Sequence, residues 1–335
     1  TDIFAIPYTS GATGTPKGVM LSHRSRVLTA YAMAAEYREL GPDSRMLVST
    51  PLFHGAGFVN LLAPCWFGGQ AVILPRFDVH ELLTLIEAHR LTKAHMVPAH
   101  FAAYFALSAA ERARYDTRSL RCIVSGTAPL AQVMKERIID AFGPILHERY
   151  GSTEASIVTN LRPEDQLRKI ACVGNPFPMV RVVIRDAAGQ PVAPGTTGEL
   201  WSRSPLMFSG YWQRPDAEKS VIADGWVSAG DLARQDDEGF TYLVDRKNDM
   251  IITGGENVYP AEVESAIYGH PDVLEVAVIG VPDDKWGETV KACVVLQPAE
   301  QNLALRGASH PIRPTDATTR HFSSWRKPAT SRNNG

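Results

Sequence analysis

An α/β fold is predicted, with a large domain of mainly parallel sheet covered by helices, a β-rich subdomain, and then a small, truncated α+β domain. Three changes of texture predict it. From the start to about Gly151, short apolar runs alternate with longer stretches of helical period, the pattern of a parallel sheet between helices. From about Pro176 the chain turns to hairpins separated by turn formers. Beyond Asp245 a helical stretch is followed by two strand-like runs.

The strand candidates of the first region are Phe4 to Thr9, Met46 to Thr50, Ala71 to Leu74, His95 to Pro98, Cys122 to Ser125 and Ile145 to Tyr150. Helical stretches lie between them. In Asp78 to His89, Asp78 followed by Glu81 reads as a capping box ahead of Leu82, Leu83, Leu85 and Ile86. Function is therefore expected at strand ends. Val180 to Arg185 and Glu199 to Arg203 flank a turn-rich stretch from Asp186 to Gly198. The last region offers a helix at Ala261 to Tyr268 and strands at Leu274 to Val281 and Val290 to Leu296. The expected division is 1–247 for the large domain, incomplete at its N-terminus, 248–296 for a partial second domain, and 297–335 for an irregular tail. That tail mixes Pro, Ser, Thr, Arg and His without period, and a shifted reading frame is its leading explanation.

A chain of 335 residues with 44% hydrophobic and 21% charged residues has ample core material, which argues against a disordered chain. Net charge is −2, so no global field draws the protein to nucleic acid or a lipid surface, and anionic ligands must be held locally. Cys65, Cys122, Cys172 and Cys293 are widely spaced, which disfavours a zinc site or disulfide framework and fits a reducing cytoplasm. No apolar run is long enough to span a bilayer, and no leader is visible after Thr1.

Four segments carry chemistry. Tyr8 to Gly18 is a strand entering a loop rich in Gly and hydroxyl residues. Gly11 and Gly14 let backbone N–H groups approach an anion, Thr9, Ser10, Thr13 and Thr15 add donors, and Lys17 supplies a compact charge. No Gly-Lys-Ser/Thr follows at Walker A spacing. In Arg149-Tyr150-Gly151-Ser152-Thr153-Glu154, Tyr150 offers a flat face for a base and Glu154 a hard oxygen ligand for magnesium. Alone, this segment reads equally as a strand end followed by a helix-capping Ser or Thr. In Gly225 to Asp231, Asp231 can accept from both ribose hydroxyls, and in Asp245 to Val258, Arg246 can donate to the sugar or a phosphate. Singly, each is also a turn residue or half of a surface ion pair.

In this order the four segments resemble those of the adenylate-forming superfamily, which comprises acyl-CoA synthetases, adenylation domains of peptide synthetases and beetle luciferases. The resemblance implies ATP-dependent activation of a fatty or aryl carboxylic acid as an acyl-adenylate, then transfer to coenzyme A. It implies that the loop from Thr9 to Gly18 closes over the β- and γ-phosphates and that Glu154 binds the accompanying Mg²⁺. Tyr150 would stack on adenine above the strand-end loop Gly126-Thr127-Ala128, with Gly151, Ser152 and Thr153 beside it and Asp231 and Arg246 on the ribose. His54 resembles an aromatic gate near the carboxylate; as a bare residue it reads equally as a cap for the following helix. Thr253 to Asn257, with Gly254 and Gly255, matches a glycine-rich loop brought to the thiol tunnel by rotation of the C-terminal domain.

Departures from the family pattern set a second expectation. Asn248 stands where the hinge usually carries Asp or Lys, Ala12 where the phosphate loop commonly has Thr, and Ala229 where a Thr often precedes Gly-Asp. The segment that family members place before the phosphate loop, and their late Gly-Lys context, have no match. A catalytically defective fragment that retains at most nucleotide binding is therefore the alternative, and an adenylation domain serving a carrier protein a further one. Phe53, Phe58, Val97, Pro98, Phe101, Gly126 and Val173 are the expected lining of an apolar acyl pocket.

Overall fold

A computed structural model of the chain describes residues 2–10, 16–246, 249–253, 256–268, 270, 272–283 and 286–296. The chain divides into two compact units between Leu243 and Val244. The glycine-rich centre of the first loop (11–15), Gly254 with Gly255, Asn248 and the tail from 297 lie outside the described residues.

The first unit opens with β1 (Ile3–Ala5), β2 (Tyr8–Ser10), β3 (Pro16–Gly18) and β4 (Leu21–Ser22), which pair antiparallel as β1 with β4 and β2 with β3. One strand from Phe4 to Thr9 was expected; two form instead. Pro7 between them has no N–H to give a ladder, and its carbonyl accepts from Val19 N at 2.8 Å.

There follow α1 (His23–Tyr37), β5 (Arg45–Val48), α2 (Gly55–Trp66), β6 (Gln70–Ile73), α3 (Val79–Ala88), β7 (Lys93–Met96), α4 (Pro98–Ala106), α5 (Ala109–Arg112), β8 (Cys122–Ser125), α6 (Gln132–Phe142), β9 (Leu146–Ser152), β10 (Ser156–Leu161) and β11 (Asn175–Pro176). These strands form a seven-stranded sheet in the order β11-β10-β9-β8-β7-β5-β6, in which β5 to β9 run parallel and β10 and β11 each pair antiparallel. The chain leaves β5 for β6 on one side and returns to β7 on the other, so the crevice beyond the carboxyl ends of β5 and β7 is a topological switch point.

Local chemistry sets the helix starts. Asp78 Oδ1 accepts from Glu81 N at 2.9 Å, which is one half of the expected capping box, and Leu82, Leu83 and Ile86 turn inward while Leu85 is only partly buried. The strand expected through Pro98 stops at Met96 because Pro98 is the first residue of α4, where its missing N–H costs nothing. Two cores flank the sheet. Met33 and Tyr37 of α1 and Val59 and Ala63 of α2 pack with Cys122 and Val124 on one face; Leu82, Phe101 and Ile138 of α3, α4 and α6 pack with Leu47 and Ile123 on the other. On that second face Lys135 of α6 forms a buried ion pair with Glu148 of β9.

The β-rich part comprises β12 (Arg181–Arg185), β13 (Gly198–Arg203), α7 (Pro215–Glu218), β14 (Ile222–Ala223), β15 (Trp226–Gln235) and β16 (Thr241–Arg246). Strands β12, β13, β15 and β14 pair in that order, with β16 also on β15. Ile184, Leu200 and Val227 join the α1/α2 core, so this part shares a core with the parallel sheet.

The second unit holds β17 (Ile251–Thr253), β18 (Glu256–Val258), α8 (Pro260–Tyr268), β19 (Val273–Asp283) and β20 (Gly287–Leu296). Its antiparallel sheet has the order β18-β17-β20-β19, and Val263 and Ile267 of α8 pack against Ile251, Val276 and Val278. No helix among the described residues is long and apolar enough to cross a membrane.

Two histidines make stability depend on pH. His100 stacks on Phe77 with ring centroids 4.1 Å apart, His147 packs edge-on against Tyr37, and burial holds each down to about 4 from the ordinary 6.5. Between those values the unfolded chain binds more protons than the folded one, so stability falls as pH drops from about 6.5 to about 4. Each group contributes at most about 3 kcal/mol above that window. The urea midpoint is expected to be clearly lower at pH 4.5 than at pH 7; equal midpoints would contradict the burial of these rings.

Candidate active site

The phosphate-loop segment is a hairpin. β2 and β3 align Tyr8 with Gly18, Thr9 with Lys17 and Ser10 with Pro16, so the glycine-rich residues connect two antiparallel strands instead of extending one. A second segment braces it: Trp212 N donates to Gly18 O at 2.8 Å, Met20 N to Gly210 O at 2.9 Å and Ser209 N to Met20 O at 2.8 Å. The same segment reaches Glu154, because Phe208 N donates to Glu154 O at 2.8 Å.

These ties bring four side chains together. Tyr211 Oη donates to Glu154 Oε1 at 2.9 Å, Thr9 Oγ1 donates to the same oxygen at 3.3 Å, and Lys17 Nζ stands 5.2 Å from the centre of the Tyr211 ring. Burial and the Glu154 charge push the Tyr211 hydroxyl well above its ordinary range, so it remains a donor. Tyr211 is the residue that sequence reasoning missed. Its only signal is a Gly-aromatic-aromatic run at Gly210-Tyr211-Trp212, which is weak; the partner lies 57 positions away.

The second cluster lies at the ends of β8 and β9. Strand β9 continues through Ser152, past the expected end at Tyr150, and Ser152 Oγ accepts from Ala155 N at 3.0 Å to close the turn into β10. No helix follows, which removes the helix-cap reading of Ser152 and Thr153. Gly151 is required by close approach, since a Cβ there would lie 2.1 Å from Ser156 O. Tyr150 Oη donates to Asp231 Oδ2, which joins two residues 81 positions apart. Asp231 is carried by a bulge in β15, where Leu232 and Ser228 oppose Glu199 and Trp201 of β13. Beyond β8, Gly126 passes the Arg149 side chain so closely that a Cβ would meet Cγ at 2.9 Å. Thr127 has φ +73, a strained value for a β-branched residue of the kind that collects at binding sites; Ala128 completes this loop.

His54 caps α2: its Nδ1 accepts from Ala56 N at 3.1 Å. It also lines a cavity of about 410 Å³ with Ser49, Thr50, Phe53, Arg76, His100 and Thr127, at the carboxyl ends of β5 to β8. Burial first, and then the Arg149 charge, lower the His54 pKa, which favours the neutral ring. Phe53 and Val97 line the cavity as expected. Phe101 does not, being fully buried in the α3/α4 core, and Phe58, Pro98, Gly126 and Val173 are not among the lining residues either.

Arg246 ends β16 and belongs to the second unit, where its neighbour Asp245 accepts from Ala261 N at 3.3 Å at the start of α8. Among the described residues no group of three or more His, Cys, Asp or Glu is gathered as a metal would require. A cation held in part by phosphate oxygens needs only one or two carboxylates, and Glu154 fits that donor set.

A doubly wound sheet with a hydroxyl-and-lysine hairpin and an acidic residue at its carboxyl edge defines an open α/β protein with its candidate site at the strand ends. The chain belongs to the AMP-binding enzyme family, whose model matches residues 1–212, and the model of the AMP-binding enzyme C-terminal domain matches residues 262–313. The second match runs past Leu296, where sequence reading ends the resemblance. A medium/long-chain-fatty-acid–CoA ligase of Mycobacterium tuberculosis is 39% identical over 298 residues, covering 88% of this chain and 51% of the relative. A feruloyl-CoA synthase of Amycolatopsis is 41% identical over 297 residues, covering 88% and 60%. Among solved structures, o-succinylbenzoate CoA synthetase (MenE) of Bacillus subtilis with its acyl-adenylate intermediate superposes with a TM-score of 0.81 at 33% identity, covering 92% of this chain and 63% of that one. The same enzyme with ATP and magnesium ion gives 0.79 at 32% identity, covering 90% and 62%. The chain thus spans between half and two thirds of the length of these relatives, and the adenylate-forming fold expected from the motifs is the one observed.

Proposed function

We propose that this chain activates a carboxylic acid with ATP to an acyl-adenylate and passes the acyl group to coenzyme A, as an AMP-forming acid–thiol ligase of the cytoplasm. The observation that carries this reading is the convergence of Thr9 and Tyr211 on Glu154, with Lys17 beside the Tyr211 ring, at the base of the phosphate hairpin. In the first step a substrate carboxylate oxygen attacks the α-phosphorus, the bond to the β-phosphate oxygen breaks, and pyrophosphate leaves with the electron pair. In the second, a thiol sulfur attacks the acyl carbon and AMP leaves.

Two anions must meet in the first step, so the protein's task is electrostatic. Lys17 and the backbone N–H groups of the hairpin receive the charge that grows on the departing pyrophosphate. Magnesium, when bound through Glu154, would offset charge on the phosphates. Tyr150 and Asp231, already hydrogen-bonded to each other, suit an adenosine: the ring presents a face to the base and the carboxylate accepts from the ribose. Arg246 would add a donor to ribose or phosphate. His54, kept neutral, borders the acid's cavity without repelling or pairing its carboxylate, and the segment around Gly254 and Gly255 serves the thiol step. Residues 1–247 form the adenylating domain in this reading, and the remainder the domain that completes the thiol step. The names of the relatives support a fatty or aryl acyl group.

The test is pyrophosphate release from ATP and Mg²⁺ across a panel of carboxylic acids. Release that requires an acid is expected. ATP binding without release would favour the defective-fragment reading, and release of orthophosphate would overturn the adenylation chemistry.

A further inference from the structure

Three stretches of chain meet at Glu154: the hairpin that carries Thr9, the turn from β9 into β10 that carries Glu154 itself, and the segment from Leu206 to Trp212 that braces both. A side chain from none of the three joins them. Arg26, in the first turn of α1, donates through Nη2 to Leu206 O at 2.8 Å and to Ser156 Oγ at 3.5 Å, and through Nε to Ser25 Oγ at 3.4 Å. The Leu206 bond has ordinary length and the others are long, so the first carries most of the energy. The cap of α1 fixes the helix to β4: Ser22 Oγ accepts from Ser25 N at 3.1 Å, and Ser25 Oγ donates back to Ser22 O at 2.9 Å. Thr29, the next turn of α1, donates to Ser25 O at 2.7 Å and lies 3.5 Å from Ser156 Oγ.

Two features mark this contact as more than packing. Ser156, the first residue of β10, has φ +66 and is 9% exposed, so the chain turns through a left-handed residue just after Glu154, and α1 grips that residue's side chain. Arg26, moreover, has no carboxylate partner among the described residues; its acceptors are a carbonyl and two hydroxyls. Burial without a counter-charge brings the guanidinium down to about 10 from the ordinary 12.5. An apolar side chain of similar volume would fill the place without that cost, so packing alone does not call for a guanidinium here. The acid's cavity lies apart from this contact, since Ser25, Arg26, Ser156 and Leu206 are not among its lining residues.

We propose, resting on the acid-activating reading above, that Arg26 is a positioning residue for Glu154: it holds the β9–β10 turn and the Leu206 segment together, and so sets the carboxylate where a magnesium ion carried on ATP meets it. Leu206 O accepts from Arg26, and Phe208 N donates to Glu154 O at 2.8 Å, so the two bonds close a short circuit around the turn. Loss of the guanidinium opens that circuit on the α1 side. Glu154 then keeps Tyr211 and Thr9 as partners, but the turn and the segment are free to shift against each other. Groups that orient a metal-binding carboxylate without touching the ion change metal affinity by about 10- to 100-fold.

The test is titration calorimetry of the full chain with ATP, once with Mg²⁺ and once with EDTA in its place; the ratio of the two affinities is the quantity read. Mg²⁺ is expected to tighten ATP binding at least about tenfold in the parent and no more than about twofold in Arg26→Met, with the affinity in EDTA within about twofold of the parent's. Arg26→Lys keeps the charge but replaces the fork by a point donor, and its ratio should fall between the two. If Arg26→Met does not fold, Arg26→Lys is read alone and should lower the ratio at least about threefold. A purely structural role would lower the melting temperature and the binding-competent fraction and leave the ratio unchanged, and that result overturns the proposal, as does a parent whose ATP affinity ignores Mg²⁺. A parent that shows the Mg²⁺ gain but releases no pyrophosphate with any acid counts against the acid-activating reading and leaves this one standing. A parent that binds no ATP counts against both.

Discussion

Glu154→Gln is expected to lower acid-dependent pyrophosphate release by roughly 10²-fold, with the loss falling on kcat more than on KM for the acid. The substitution keeps the volume and the acceptor that Thr9 and Tyr211 use, but removes the charge that would hold a cation against the phosphates. Tyr211→Phe deletes one of the two donors to Oε1 and leaves the carboxylate. Tyr211 is a positioning residue, so its loss should be about tenfold and partly relieved by raised Mg²⁺. A Glu154→Gln protein within about threefold of the parent would show that the cluster organises the hairpin and does not serve the chemistry.

Lys135→Met is expected to destabilise the protein by about 3–5 kcal/mol, because it leaves the buried Glu148 without its partner. The two side chains are 3% and 8% exposed, so solvent does little to screen them. Burial already pushes the Glu148 carboxyl up, against the pull of Lys135, which shows how little hydration it retains. Urea unfolding measures the loss. Lys135→Met with Glu148→Leu should recover most of it, since an apolar pair removes the uncompensated charge instead of stranding it. A double variant no better than the single one would mean that α6 docks on β9 by packing, with the charges incidental.

What the sequence disclosed followed the range of the interaction concerned. Asp78 and Glu81 lie one turn apart, and Cys122 to Ser125 is an apolar run that fits a strand buried on both faces; both were legible. The run from His95 to Pro98 was read as one strand because hydrophobicity does not mark where a strand hands over to a helix, and the proline that begins α4 was taken into the strand. Tyr150 and Asp231 were legible in separate motifs. That Tyr150 bonds Asp231, or that Tyr211 joins Thr9 on Glu154, depends on strand order, which no local pattern carries. Two interior cations were hidden for the same reason. Lys93 and Arg149 have the composition of surface residues, and only the register of β7, β8 and β9 places them side by side in the core.

Exchange of labelled pyrophosphate into ATP tests the central claim most directly, because it requires a reversibly formed acyl-adenylate and no thiol. Exchange is expected only when ATP, Mg²⁺ and a carboxylic acid are present together, with near-loss in Glu154→Gln. Exchange that proceeds without acid, or none at all from a protein that binds both ATP and the acid, would contradict it.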